Sequence, residues 1–225
     1  MKKVITILIL CAYLVSVLAA SAFAIAKQAN GDWQIWTVQK AEVKVGKDKK
    51  FKIKAEQEER FGNDIRAIYY THTDLGVDYK FTGWFSMGLN YRYVVEKISG
   101  KWKEESRPYI TATLSREIFG LKFSDRSMLE YRIRKYSRGT VRYRNKLTMV
   151  IPLEWTRLDI SPYAADEIFI DNQRQRLNKN RIYGGFKFKV IKHLGGEIFY
   201  MTQASESKGK WPTFNVIGLQ VKAAF

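Results

Sequence analysis

The sequence has very little of the chemistry that usually marks a disulfide or transition-metal protein. It contains one cysteine, Cys11, and two histidines, His72 and His193. Cys11 lies in an N-terminal segment that we expect to be removed, so the mature chain forms no internal disulfide. Two histidines without a cysteine fall short of the usual donor sets for a transition metal. We therefore expect no transition-metal site and no cofactor, although acidic residues could still bind calcium.

Long apolar runs and the helical period are also missing after residue 24. The absence of such a run excludes a membrane-spanning helix in this part of the chain. Glycine-rich phosphate loops are absent too, because "GGEIF" at 195–199 does not fit one. No linker, low-complexity tract or change of composition divides the sequence, which therefore predicts one domain.

The N-terminus resembles a secretory signal. Residues 1–24 contain two lysines, an apolar run and small residues at Ala22 and Ala24, which together predict cleavage after Ala24. Leu10 precedes Cys11 where a lipoprotein signal needs a small residue, so we expect no lipid anchor. Cleavage removes 24 of the 225 residues and two lysines from a chain of charge +17, leaving 201 residues with charge +15. This excess favours a polyanionic partner, and export excludes cytosolic nucleic acid.

Residues 25–225 alternate apolar and polar side chains almost from end to end. Period two over short segments indicates strands, each about 9–11 residues or more, enough to cross a bilayer when tilted. We predict strands at 32–45, 51–61, 67–81, 85–97, 105–115, 121–134, 141–153, 157–170, 181–190, 196–203 and 213–225. The fold class is therefore all-β, an up-and-down antiparallel barrel that follows the signal peptide.

The connections predict how the barrel is oriented. Short segments such as "TGW" and "KHLG" alternate with longer polar ones such as "DNQRQRLNKN", and outer-membrane barrels have short periplasmic turns and longer external loops. The C-terminus is then periplasmic. Eleven strands are an odd number, whereas bacterial single-chain barrels usually have an even one. We therefore expect 11–12 strands, and twelve if the segment before residue 32 pairs as an extra strand.

One hairpin cannot show which face of the sheet meets water. A soluble barrel would turn Leu89 and Leu147 inward and Arg144 outward, whereas a membrane barrel would do the opposite. Three features favour the membrane barrel: the signal, aromatics near strand ends, and the last strand. In the last strand, apolar residues alternate up to a final aromatic, as in the insertion signals of outer-membrane barrels: Ile217, Leu219, Val221, Ala223 and Phe225. The predicted location is the outer membrane of a Gram-negative bacterium.

Aligning the apolar rows of neighbouring strands brings opposite charges together on the other face. The predicted pairs are Glu42 with Lys54, Lys40 with Glu56, Asp74 with Arg92, Arg144 with Glu167, and Lys189 with Glu197. Some residues on the apolar, outward-facing rows do not fit this pattern because they are polar, namely Gln39, Gln57, Glu59 and Asp125. A narrow interior would strengthen these ion pairs, because an unpaired buried charge is costly.

The stretches "DWQIW", "HTDLGVDYKF", "WFSMGLNYRYV", "SRPYITATL", "SPYAADEIF" and "RIYGGFKF" resemble a known family. They are similar to bacterial outer-membrane barrels catalogued as domain of unknown function twenty-four-ninety, over nearly all of the mature chain. The resemblance implies an outer-membrane barrel. It brings no catalytic residues, because the activity of the family is unassigned.

Three functional hypotheses remain open. The first is a structural barrel or a narrow, porin-like channel whose net basic lumen favours a small anionic solute. The second is binding to outer-membrane lipids or lipopolysaccharide through basic loops, with the cations Lys101, Lys103, Arg134, Lys135, Arg138, Arg174, Arg176, Lys179, Lys208 and Lys210. The third is a lipid-modifying enzyme, for which we find no catalytic residues, since neither histidine has a serine beside it. The barrel-assembly machinery is an expected partner of the last strand.

Overall fold

The computed structural model describes residues 30–135, 137–153, 158–172 and 176–225. The predicted signal peptide at 1–24, Cys11 and Arg174 lie outside the described residues. Within those ranges, no helix is long and apolar enough to span a membrane.

The described chain is a succession of eleven strands. They are β1 (Trp33–Val45), β2 (Phe51–Gly62), β3 (Ala67–Lys80), β4 (Phe85–Ile98), β5 (Lys101–Ile118), β6 (Leu121–Arg134), β7 (Ser137–Val150), β8 (Ser161–Asp171), β9 (Arg176–Ile191), β10 (Leu194–Ser205) and β11 (Thr213–Ala224). Every predicted strand is present. The all-β, up-and-down prediction is confirmed, because period two is a local property that each strand carries by itself.

The strands close into a barrel in chain order, with β1 beside β11. Sequential neighbours are antiparallel, but β1 and β11 are parallel, with Trp33 opposite Asn215 and Glu42 opposite Ala224. The expectation of a twelfth strand is therefore wrong. An odd number of alternating strands makes the first and last run in the same direction, so a parallel pair closes the sheet.

The predicted contrast between short and long connections is also wrong. The connections after β4 and β6, which were predicted to be long, each contain only two residues, because β5 and β7 begin earlier than predicted. The longest connection, at 151–160, lies on the side that was expected to have only short turns. We call the end where β1 begins the N-terminal end, and the end where β11 finishes the C-terminal end.

The two faces of the sheet differ as the membrane alternative predicts. Leu89 and Leu147 are exposed, at 67% and 49%, whereas Arg144 is only 7% exposed. Other exposed apolar residues, such as Leu75, Ile110 and Ile198, alternate with buried ones along their strands. The apolar face therefore points outward and the charged face points into the barrel.

Polar residues on the outer face contact one another. Thr37 Oγ1 donates to Glu59 Oε2 at 2.9 Å, and Gln57 Nε2 donates to Thr71 Oγ1 at 2.8 Å. Asp125 accepts a hydrogen bond from Asn145. These cross-strand pairs satisfy polar groups that would be costly if left alone on an apolar face.

Candidate functional site: the barrel interior

Two predicted ion pairs form between residues that lie directly opposite each other. Lys40 is opposite Glu56, with Nζ 2.9 Å from Oε2. Asp74 is opposite Arg92, whose Nε donates to Asp74 Oδ2 at 2.8 Å. Both pairs lie on the inward row of their strands. Asp74 and Arg92 are buried, so the inward face of the β3–β4 hairpin is ionic at this point rather than apolar.

Glu42 and Lys54 are opposite each other, as predicted, but they make their contacts elsewhere. Glu42 Oε2 is 2.9 Å from Lys222 Nζ and 3.6 Å from Lys52 Nζ, while Lys54 Nζ is 2.7 Å from Asp78 Oδ1. The parallel closure brings Lys222 on β11 next to β1. This contact cannot be found from a β1–β2 hairpin considered alone.

The predicted register of Arg144 with Glu167 is wrong by two residues. Phe169 lies opposite Arg144, and Lys146 lies opposite Glu167. The cause is the connection at 151–160, which is longer than the turn assumed from the sequence. The ion pair nevertheless forms diagonally, with Arg144 Nη2 2.6 Å from Glu167 Oε1.

The predicted register of Lys189 with Glu197 is also wrong. β10 begins at Leu194, two residues earlier than predicted, and the β9–β10 ladder shifts between Leu194 and Gly195, so Lys189 lies opposite Gly195 and Lys187 opposite Glu197. Irregularities of this kind displace one strand against its partner and are not visible in the apolar pattern. Lys189 Nζ instead lies 3.6 Å from Asp159 Oδ2, in a pair that is about half exposed.

The centre of the interior is a network of arginines and carboxylates. Glu130 is fully buried; Arg142 Nη2 is 2.5 Å from its Oε2 and Arg144 Nη1 is 2.7 Å from its Oε1. Glu167 is 1% exposed and also contacts Arg181, with Nη1 3.4 Å from Oε2. The network therefore links the neighbouring strands β6, β7, β8 and β9 along the inner wall.

Aromatic rings hold several of these cations. The guanidinium carbon of Arg60 is 3.7 Å from the ring centroid of Trp36 and 4.0 Å from that of Tyr70. Phe169 is 2% exposed, and the guanidinium carbons of Arg144 and Arg181 are 4.7 and 4.8 Å from its centroid. Cations over ring faces are stabilised by the ring quadrupole. Sequence analysis missed Phe169 and Arg181, although the period-two parity of β8 and β9 places both on the inward row.

An apolar cluster lies on the side of β1 and β8–β11. Its buried residues are Trp36, Tyr163, Ala165, Tyr183, Phe199, Met201, Phe214 and Val216. These side chains form one buried cluster beside the ionic network.

A cavity of about 180 Å³ lies within the ionic half. Fourteen residues line it, of which seven are arginines and one is Lys179, whereas only two, Glu96 and Asp171, are carboxylates. Glu96, Asp171 and Lys179 are half-buried, and Arg144 and Arg181 are buried. The cavity therefore extends inward from the N-terminal end.

His72 belongs to a hydrogen-bonded cluster. Its Nδ1 lies 3.1 Å from Tyr70 Oη and its Nε2 lies 2.9 Å from Glu56 Oε1. Potential ligand atoms of Glu56, His72 and Asp74 lie within 4.8 Å of one another, so these three residues could hold a metal ion. Arg92 contacts both carboxylates, at 2.8 Å for Asp74 and 3.5 Å for Glu56. A divalent ion would therefore have to displace or repel this guanidinium.

His193 lies at the C-terminal end. Its Nδ1 is 2.8 Å from the carbonyl oxygen of Ala224, and its ring stacks on Phe225 with a centroid distance of 5.2 Å. Among the described residues, neither histidine hydrogen-bonds a serine hydroxyl. Of the predicted insertion signal, Ile217, Leu219 and Val221 are exposed, Phe225 is half-buried and Ala223 is buried.

Comparison with known proteins identifies a family. The family described as "Protein of unknown function (DUF2490)" matches residues 33–214. No curated protein sequence matches this chain. A solved structure described as "LpxR from Salmonella typhimurium" is 9% identical, with a TM-score of 0.45 over 73% of this chain and 80% of that chain.

Proposed function

The chain belongs to the family described as protein of unknown function (DUF2490), and from that premise we propose that it is an outer-membrane β-barrel whose interior is closed to ions. The family resemblance found in the sequence is thereby confirmed, and it leaves the activity open. The proposal therefore depends on the geometry of the barrel, beginning with its outer face.

The outer face supports a location in a bilayer. Apolar residues such as Leu75, Leu89 and Leu147 remain exposed between the two ends of the barrel. Exposed aromatics occur near both ends: Trp33, Trp102 and Trp211 near the N-terminal end, and Phe51, Phe81, Trp84 and Phe119 near the C-terminal end. Amphipathic rings are favoured at headgroup level, and two aromatic girdles around an apolar band are typical of outer-membrane barrels.

The predicted signal peptide and the final aromatic support the same location. An exported barrel that ends in alternating apolar residues fits recognition by the barrel-assembly machinery through β11. With a periplasmic C-terminus, the N-terminal end faces outward. The cavity and the exposed lysines at that end would then meet the cell exterior.

The proposal that the interior is closed to ions depends on one observation, the position of Glu130. This carboxylate is fully buried in the middle of the barrel and receives ion pairs from Arg142 and Arg144. Arg144 then continues to Glu167 on β8. The interior of an eight-stranded barrel is just wide enough to be filled by side chains. This barrel has eleven strands and a wider interior, and its inward residues include large charged and aromatic side chains that occupy that space. Ions would have to break these pairs to pass.

Planar-bilayer recording tests the proposal. Folded full-length barrel, inserted at one or a few copies, should give no stable unitary conductance in chloride or phosphate electrolytes. The matched variant is Arg144→Ala combined with Glu130→Ala, which removes two large interior side chains and their ion pairs and should allow conductance to appear. A stable conductance from the natural sequence would contradict the closed interior and favour the channel hypothesis.

Binding of a surface polyanion is a second candidate function. Lys101, Lys103, Arg176, Lys208 and Lys210 are all exposed at the N-terminal end. Cations beside lipid phosphates contribute on the order of 1 kcal/mol each and are screened by salt. Binding to lipopolysaccharide should therefore weaken with salt and with Lys→Glu changes at these positions. Binding insensitive to both would exclude this candidate.

A further inference from the structure

The arginines around the interior cavity outnumber the carboxylates that pair with them. Glu105 contacts Arg107, Arg132 and Arg134, with the closest distances between 2.5 and 2.9 Å. Glu105 is itself buried. One buried carboxylate therefore serves three guanidinium groups.

The same sharing occurs at Glu130 and Glu167. Glu130 contacts Arg142 and Arg144, and Glu167 contacts Arg144, Arg181 and, at 3.5 Å, Arg126. Five of the arginines that contact Glu105, Glu130 or Glu167 line the cavity, so three buried carboxylates are shared among the lining guanidinium groups of Arg107, Arg132, Arg142, Arg144 and Arg181. Buried charges that are only partly compensated are costly, so an anion added beside these guanidinium groups would stabilise them.

Lys179 adds a cation at the rim that has no carboxylate partner. Among the described residues no carboxylate oxygen lies within 4.0 Å of its Nζ, which instead lies 5.5 Å from the Phe169 centroid. Lys179 is half-buried and lines the cavity. Its ammonium group is therefore available to a ligand without breaking an existing ion pair.

The cations reach the cavity from many directions. Arg60 comes from β2, Arg92 from β4, Arg107 from β5, Arg132 from β6, Arg142 and Arg144 from β7, and Lys179 and Arg181 from β9. Donors on opposite walls suit a tetrahedral oxyanion, whose oxygens point in several directions, better than a planar carboxylate. The volume of about 180 Å³ equals the share of about six water molecules in the liquid, enough for a phosphate group with residual water.

We infer that this arginine-lined cavity binds a phosphate group, carried by inorganic phosphate or by the phosphomonoester end of a solute or lipid. The ligand enters from the N-terminal end, past Lys179, and its oxygens accept hydrogen bonds from the surrounding guanidinium groups. This inference is independent of the closed interior, because a barrel that conducts ions could also bind phosphate at these residues.

Calorimetric titration of the folded full-length barrel in detergent with inorganic phosphate tests the inference. One saturable site is expected, and Lys179→Gln should weaken binding by about 10- to 100-fold because a charge-assisted hydrogen bond is lost. Lys47→Gln is the control, since Lys47 is exposed in the turn between β1 and β2 and does not line the cavity. It should bind phosphate as the natural sequence does.

Vesicles containing phosphatidic acid, compared with phosphatidylcholine vesicles, distinguish the source of the phosphate. Binding of inorganic phosphate that depends on Lys179 supports a solute. Binding of phosphatidic acid alone, again dependent on Lys179, supports a lipid headgroup. Absence of both, or equal affinity in Lys179→Gln and the natural sequence, would overturn the inference.

Thermal unfolding of the natural sequence gives a second readout that needs no variant. A ligand that binds only the folded barrel raises its melting temperature in proportion to the logarithm of its concentration above Kd. Phosphate should therefore raise the melting temperature, whereas chloride at equal ionic strength should not. Equal stabilisation by the two anions would indicate nonspecific screening and contradict the site.

Discussion

Arg144 contacts two buried carboxylates on different strands at once, Glu130 on β6 and Glu167 on β8. Arg144 Nη1 lies 2.7 Å from Glu130 Oε1, although Met128, not Glu130, is the residue opposite Arg144. The pair is thus diagonal. Long guanidinium side chains allow such contacts between residues that the register separates, which explains why a wrong register still brought Arg144 to Glu167.

Removing the charge of Glu130 should destabilise the barrel. Glu130→Gln leaves the buried charge of Arg142 without its carboxylate partner and leaves Arg144 paired with Glu167 alone, and breaking a buried pair in this way costs about 3–5 kcal/mol. Urea unfolding of the barrel in lipid vesicles measures the change in free energy. Asp159→Asn, which removes a half-exposed partner of Lys189, is the control and should cost about 0–1 kcal/mol. Equal effects would show that the ionic network is not a stabilising element.

A charge introduced on the outer face should be penalised according to its depth in the membrane. Leu89→Lys places an ammonium group at a position that is 67% exposed near the middle of β4, with an expected cost of about 2–4 kcal/mol in a bilayer. Val95→Lys, on the same outward row but closer to the end of the strand, should cost about 0–1 kcal/mol. Unfolding from vesicles measures both. If the two variants were equally stable, the outer face would not lie in lipid.

The parallel closure can be tested by disulfide crosslinking, because the only natural cysteine, Cys11, lies in the predicted signal. Thr37 is opposite Leu219 across the β1–β11 pair. Thr37→Cys with Leu219→Cys should therefore form a bond that changes mobility on nonreducing gels. The pair Gln39→Cys with Leu219→Cys is displaced by two residues and exceeds the usual Cα separation of about 7 Å, so it should crosslink poorly. A twelfth strand between β1 and β11 would abolish the difference.

Gly218 marks a close approach between β11 and an interior ring. A Cβ atom there would lie 2.0 Å from Phe199 Cζ, whereas nothing lies within 4 Å of the corresponding position at Gly184. Gly218→Ala should cost about 1–3 kcal/mol through overpacking. Gly184→Ala should be neutral or slightly stabilising, because alanine reduces the entropy of the unfolded chain. Thermal unfolding of both variants checks this contrast, and a harmless Gly218→Ala would mean that Phe199 moves freely.

The sequence by itself determined the strands and their two faces. Alternation along β4 and β7 places Leu89 and Leu147 on one side and Arg144 on the other, since side chains in a strand alternate regardless of what lies next to it. The predicted pairs of Lys40 with Glu56 and of Asp74 with Arg92 also form, because their hairpins contain no shift between the turn and these residues.

Only the tertiary structure decided the rest, because it depends on contacts between residues distant in sequence. The parallel closure brings Lys222 to Glu42, the long connection before β8 shifts Glu167 by two residues, and the irregularity at Leu194 separates Lys189 from Glu197. The cavity likewise brings together cations from six strands. Each of these cations is an ordinary inward-facing residue when its own strand is considered alone. Local alternation fixes the direction of a side chain, but the register and closure of the whole sheet fix which charges meet.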